Sequence, residues 1–113
     1  MKHTIEVRIG STGLSVPHDT DVNIGDEVEW RIDTPGLPTQ PVITAFVFEA
    51  TSPFGDRLQN RVFLIASKRT GGKATILAGQ ATITGDHKYA VVVRDALNGQ
   101  FVAEEDPWIH VRP

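Results

Sequence analysis

The chain has 113 residues, 40% of them hydrophobic and 22% charged, with a formal net charge of −3 and no cysteine. That is one domain's length, with enough apolar residues for a core and no signature of disorder. The interspersed, mildly acidic charge disfavours nucleic acid and anionic membranes, which need clustered Lys and Arg. The missing cysteine excludes disulfides, thiolate zinc sites and cysteine nucleophiles.

Period-two alternation dominates from the start. Residues 1–10 (MKHTIEVRIG) put Ile5, Val7 and Ile9 on one face, Thr4, Glu6 and Arg8 on the other. They form no apolar run, so they do not read as a signal peptide, and no segment reaches the roughly 20 apolar residues of a membrane span. The expectation is a cytoplasmic protein with a single β-sandwich domain over residues 1–113. A turn at 10–13 and a short strand at 14–16 precede a loop at 17–21 (PHDTD), where Pro and Asp favour turns. Val22, Asn23 and Ile24 lead into a Gly25-Asp26 turn, and 27–33 (EVEWRID) point Val28, Trp30 and Ile32 inward.

Residues 34–41 (TPGLPTQP) hold three prolines and read as a loop, since proline cannot donate to a central ladder. Residues 42–50 (VITAFVFEA) are apolar on both faces in places, the pattern of a central strand. A polar, turn-rich stretch follows at 51–60, then a strand at 61–67 and a turn at 68–72. Residues 73–77 and 81–84 form two short strands, or one strand bulged near Gly79. Gly85-Asp86 turns into 88–95 (KYAVVVRD); residues 96–106 read as a loop, and 108–112 (WIHVR) as the last strand. No segment carries ten residues of helical period. About seven to nine short strands predict an all-β sandwich or barrel.

Three local patterns carry a family resemblance. Residues 22–31 (VNIGDEVEWR) resemble the cupredoxin strand, Gly-Asp turn and second strand leading to an inward Trp. Residues 84–93 (TGDHKYAVVV) resemble the approach to the tyrosine corner of Greek-key sandwiches, with Tyr89 as its tyrosine. Residues 106–111 (DPWIHV) resemble the short closing strand. The resemblance implies a single Greek-key β-sandwich, cupredoxin-like or immunoglobulin-like. It does not bring the family's copper. A blue-copper site takes two His, a Cys and usually a weak axial Met. The positions after Tyr89 where ligands would fall hold Val92, Val93, Arg94 and Asp95; residues 31–48 contain no His, and the only Met is Met1. An electron-transfer role is therefore rejected, and no cofactor is expected.

Other chemistry is sparse. His18, Asp19 and Asp21 are the nearest thing to a metal loop, yet the glycine and distal Glu of a calcium loop are missing, which favours a solvated turn. Glu104, Glu105 and Asp106 read as a solvated acidic loop. No nucleophile elbow or dinucleotide fingerprint is present, and 70–73 (TGGK) lacks the spacing of a phosphate loop. Trp108 is expected in the core; turned outward it would stand beside Phe101 and anchor a partner. Pro35, Leu37, Pro38 and Gln40 mark a preorganised, uncharged loop that reads equally as a recognition loop at the sandwich end and as a plain crossover between sheets. The leading expectation is a non-catalytic module that binds another protein or itself. The alternatives are a metal-dependent hydrolase using His18, Asp19 and Asp21 or the acidic cluster, and a small-molecule or carbohydrate binder using Trp108, Phe101 and the proline-rich loop.

Overall fold

The computed structural model describes residues 1–10, 13–34, 42–49, 52–55, 60–65 and 73–113, with 60–65 and 73 described by backbone alone. The strands are β1 (Lys2–Gly10), β2 (Gly13–Ser15), β3 (Asp19–Asn23), β4 (Glu27–Asp33), β5 (Val42–Phe48), β6 (Asn60–Ile65), β7 (Lys73–Gln80), β8 (Gly85–Asp95), β9 (Phe101–Glu105) and β10 (Trp108–Arg112). They form an all-β sandwich. One sheet runs β2-β1-β4-β7, the other β3-β10-β8-β5-β6, with β9 also on β8. The described pairings are antiparallel except β1 with β4 and β3 with β10, which are parallel.

Alternation sets which face is buried. Ile5, Val7 and Ile9 of β1 and Val28, Trp30 and Ile32 of β4 face the second sheet, whose Val42, Phe46, Tyr89, Val91, Val93, Ile109 and Val111 complete the core. The opposite face of the first sheet is ionic: Arg31 donates to Glu6 at 2.9 Å, Thr4 to Glu29 at 2.7 Å, and Lys2 lies 3.5 Å from Glu29. On the second sheet the outward positions of β5 and the middle of β8 and β10 are half-buried instead, with Asp86, Arg94 and Arg112 exposed at the strand ends.

Among the described residues there are ten strands, against about seven to nine expected for the all-β sandwich. The two additions are β3, which extends back to Asp19 through a stretch read as a loop, and β9, inside the 96–106 loop. Both are held by distant partners: β3 lies alongside β10 from Trp108↔Asp19 to Arg112↔Asn23, and β9 pairs with Val91–Arg94. Ladder bonds to a remote strand override the local turn preference of Asp and Asn. Conversely, 81–84 is not a strand. Ala81 is pinned to the turn before β4, its N–H donating to Asp26 O at 2.8 Å and its O accepting from Gly25 N at 2.8 Å. The bulge does lie where expected: the β4–β7 register shifts opposite Val28/Glu29, beside Gly79 at φ 147°.

An aromatic cluster fills one end of the core. Trp30 stacks on Phe46 with centroids 3.8 Å apart, and Phe48, Phe54 and Tyr89 surround them. Trp30 is inward as expected. Tyr89 does not make the bond of a tyrosine corner: among the described residues its buried hydroxyl has no hydrogen-bond partner, nor has the Trp30 indole N–H. Burial pushes the phenol up to about 12, only partly offset by the nearby Trp30 N–H.

The Asp26 turn closes that end. Its carboxylate accepts from Asn23 N at 3.0 Å, meets His3 Nε2 at 2.8 Å and lies 3.3 Å from the Met1 amine. The backbone bond and then His3 hold this carboxyl down at about 2. Among the described residues no helix is long and apolar enough to cross a membrane.

Candidate functional site

Two surface features stand out on the second sheet. The first is built on the outward positions of β3, β10 and β8. His110 is placed beside Asp21 on one neighbour and Asp86 on the other, Trp108 beside Asp19 and Lys88. His110 Nδ1 lies 2.6 Å from Asp86 Oδ1 and Nε2 lies 2.7 Å from Asp19 Oδ1. A carboxylate can only accept, so a carboxylate at each ring nitrogen favours the imidazolium, which donates from both. The bond to Asp19 and then that to Asp86 raise the His110 pKa above its ordinary value, against partial burial. Asp19 is lowered in turn by His110 and then His18, whose Nδ1 lies 2.8 Å from its other oxygen.

The Trp108 ring stands parallel to His110, 8° between planes and 6.0 Å between centroids. Lys88 Nζ lies 5.9 Å from the Trp108 centroid and 3.8 Å from Glu49. Beside this group opens a cleft of about 290 Å³, bordered by Glu49, Thr84, Asp86, Lys88 and Trp108.

The second feature is the turn joining β8 to β9. Asp95 is buried, and its carboxylate accepts from Leu97 N at 2.8 Å and Asn98 N at 3.3 Å. Asn98 Oδ1 accepts from Gln100 N at 2.9 Å, and Arg94 donates to Gly99 O at 3.1 Å. Gly99 takes the left-handed conformation this turn requires, φ 71°. On this braced loop Leu97 is 81% exposed, with Phe101 at 59% and Val102 at 38% on the strand that follows.

These positions correct two expectations. Trp108 is not core: Ile109 and Val111 point inward, and Trp108 lies half-buried on the outer face. Nor does it stand beside Phe101. Trp108 pairs with Lys88 and Phe101 with Arg94, six positions apart on β8, about 20 Å along an extended strand. Pro35, Leu37, Pro38 and Gln40 lie outside the described residues. Of the residues that flank them, Val42 pairs with Asp95, where the β8–β9 turn begins.

His18 and Asp19 meet as a hydrogen-bonded pair, but Asp21 turns away to Arg112 at 3.0 Å. Among the described residues no three or more His, Asp or Glu side chains are arranged to hold a metal ion. Glu104 and Glu105 are exposed on β9 and do not converge on a site. Sequence reasoning missed Asp86, Lys88, Glu49 and Leu97 as surface-feature residues. The only available signal was the Trp108/His110 spacing of two, which puts both on one face but does not say which neighbours they meet. No protein-family model and no curated protein matches the chain.

Proposed function

We propose that the protein is a non-catalytic binding or assembly module on a cupredoxin-like scaffold, with another protein or a second copy as its partner. The scaffold reading rests on the Gly25-Asp26 turn before an inward Trp30, on the closing strand 108–112, and on a sandwich whose chain crosses from one sheet to the other between β2 and β3. Blue-copper electron transfer does not accompany it, because the chain lacks the thiolate that such a site needs.

The observation that carries the binding role is the display of Leu97 on a loop held by Asp95 and Asn98, with Phe101 and Val102 exposed at the start of β9 beside it. Exposed aliphatic and aromatic side chains on a mobile loop would lose ordering entropy on association; on a braced loop much of that cost is already met. Aromatic anchors of this kind dominate interface energetics. Sedimentation velocity across a concentration series, with chemical cross-linking to a co-purified partner, tests the reading. Leu97→Asp combined with Phe101→Ser is expected to weaken association at least ~10-fold, as loss of an interface anchor does. A strictly monomeric wild type whose partner recovery is unchanged in the double variant would overturn it.

A further inference from the structure

The cleft beside Trp108 has a chemistry of its own, independent of the turn at 95–101. Its wall is held in place. His110 is anchored at both ring nitrogens by Asp86 and Asp19, and Trp108 stands parallel against it. Lys88 flanks the other partners, facing the indole and Glu49. The hydrogen-bonding capacity left over is mixed. Among the described residues, the Asp86 carboxylate uses one oxygen for His110 and the Glu49 carboxylate has a 3.8 Å ion pair with Lys88. The Thr84 hydroxyl and Trp108 indole N–H make no side-chain hydrogen bond among the described residues.

Charge selects the ligand class. Glu49 and Asp86 flank the opening with negative charge and Lys88 with positive. An organic cation would meet the Lys88 ammonium, and a phosphate or carboxylate would meet two carboxylates. A neutral molecule rich in hydroxyls has no such penalty: each hydroxyl both donates and accepts, satisfying carboxylate, ammonium and indole N–H alike. The indole offers an apolar face with a polar edge to such a ligand. A volume of about 290 Å³ stands at the lower limit of small-molecule sites, roughly 300 Å³, the scale of one ring.

We propose that this cleft is a binding site for a neutral sugar, a single pyranose ring packing its C–H face on Trp108 and directing adjacent hydroxyls to Glu49, Asp86 and Lys88. Asp19, beside Trp108 on β3, is not among the residues that border the cleft and serves by fixing His110.

The test is an NMR titration of ¹⁵N-labelled protein with the methyl glucosides, galactosides and mannosides, each to tens of millimolar. At least one is expected to shift the Trp108 indole and the Asp86 and Lys88 amides, with a Kd on the order of 1 mM, as suits a small ligand on an open site. Leu97 and Phe101 should not move, and the Leu97→Asp/Phe101→Ser variant should bind the sugar equally, so failure here is separable from failure of the association role. Trp108→Ala is expected to weaken binding ~10-fold, the scale of one aromatic contact, while Trp108→Phe keeps most of it. Glu49→Gln, a change at an exposed side chain, should weaken binding without altering the melting temperature. No shift with any glycoside overturns the proposal. So does a cleft response to sodium phosphate or spermidine in place of the sugars, or equal affinity in Trp108→Ala and wild type.

Discussion

Tyr89 shows how much one polar atom decides. Its ring packs among Trp30, Phe46 and Phe48, with centroids 5.1 Å from Phe48, so the aromatic body belongs to the core. The hydroxyl, however, is buried with no partner among the described residues. A buried unpartnered donor costs about 1–3 kcal/mol, whereas a hydroxyl making a tyrosine-corner bond contributes roughly 1 kcal/mol. Tyr89→Phe is therefore expected to stabilise the protein by ~1 kcal/mol in urea unfolding, with unchanged m-value. A loss of similar size would show that the hydroxyl is bonded in solution. That residues 88–95 form a strand was legible from their pattern; where the Tyr89 oxygen ends was not, because this depends on which side chains the other sheet presents across the core.

At the scale of elements, the β7 bulge carries a sharp constraint. Gly79 sits at φ 147°, and a Cβ built there would lie 3.0 Å from Phe54 Cγ and 3.1 Å from Phe54 Cβ. Phe54 is itself fixed edge-on against Trp30 and Phe48. Gly79→Ala combines a backbone conformation costly to L-residues with a ring that has little room to retreat, and should destabilise by about 2 kcal/mol. Adding Phe54→Leu should recover the steric share when each double-mutant ΔΔG is compared with its singles. If Gly79→Ala melts at the wild-type temperature, the bulge is not so constrained. The bulge itself was readable from a glycine inside an alternating run. Strands β3 and β9 were not, since Asp19, Asp21, Glu104 and Glu105 disfavour strands locally and are extended only through β10 and β8.

For the molecule as a whole, the Asp19–His110–Asp86 network ties an edge strand to the centre of the second sheet, joining residues 91 and 24 positions apart. The native state raises the His110 pKa above 6.5, so it holds a proton that the unfolded chain releases. That stabilisation is complete below about 6.5 and is lost as pH rises through the raised value. Asp19 is shifted downward from 3.8, so its share is present above that value and lost as pH falls below it. Urea midpoints measured from mildly acidic to alkaline pH should fall through the His110 titration in wild type and stay flatter there in His110→Gln. Asp19→Asn and Asp86→Asn should each lower the His110 pKa followed by NMR. Identical pH profiles for wild type and His110→Gln would sink this account.

The sequence alone determined the all-β character, the inward faces of β1 and β4, the core position of Trp30, and the exclusion of thiolate and blue-copper chemistry. Those properties follow from residue type and a period of two, which are local. Only the tertiary structure decided that Trp108 faces outward, that it is separated from Phe101, that Asp21 goes to Arg112 while Asp19 goes to His110, and that Leu97 stands on a braced turn. Each depends on strand register and on parallel pairing between segments nearly a chain length apart. Where apolar and polar residues alternate, as in β1 and β4, a single strand shows which face is buried; in β10, where Trp108 and His110 alternate with Ile109 and Val111, only packing against the other sheet decides.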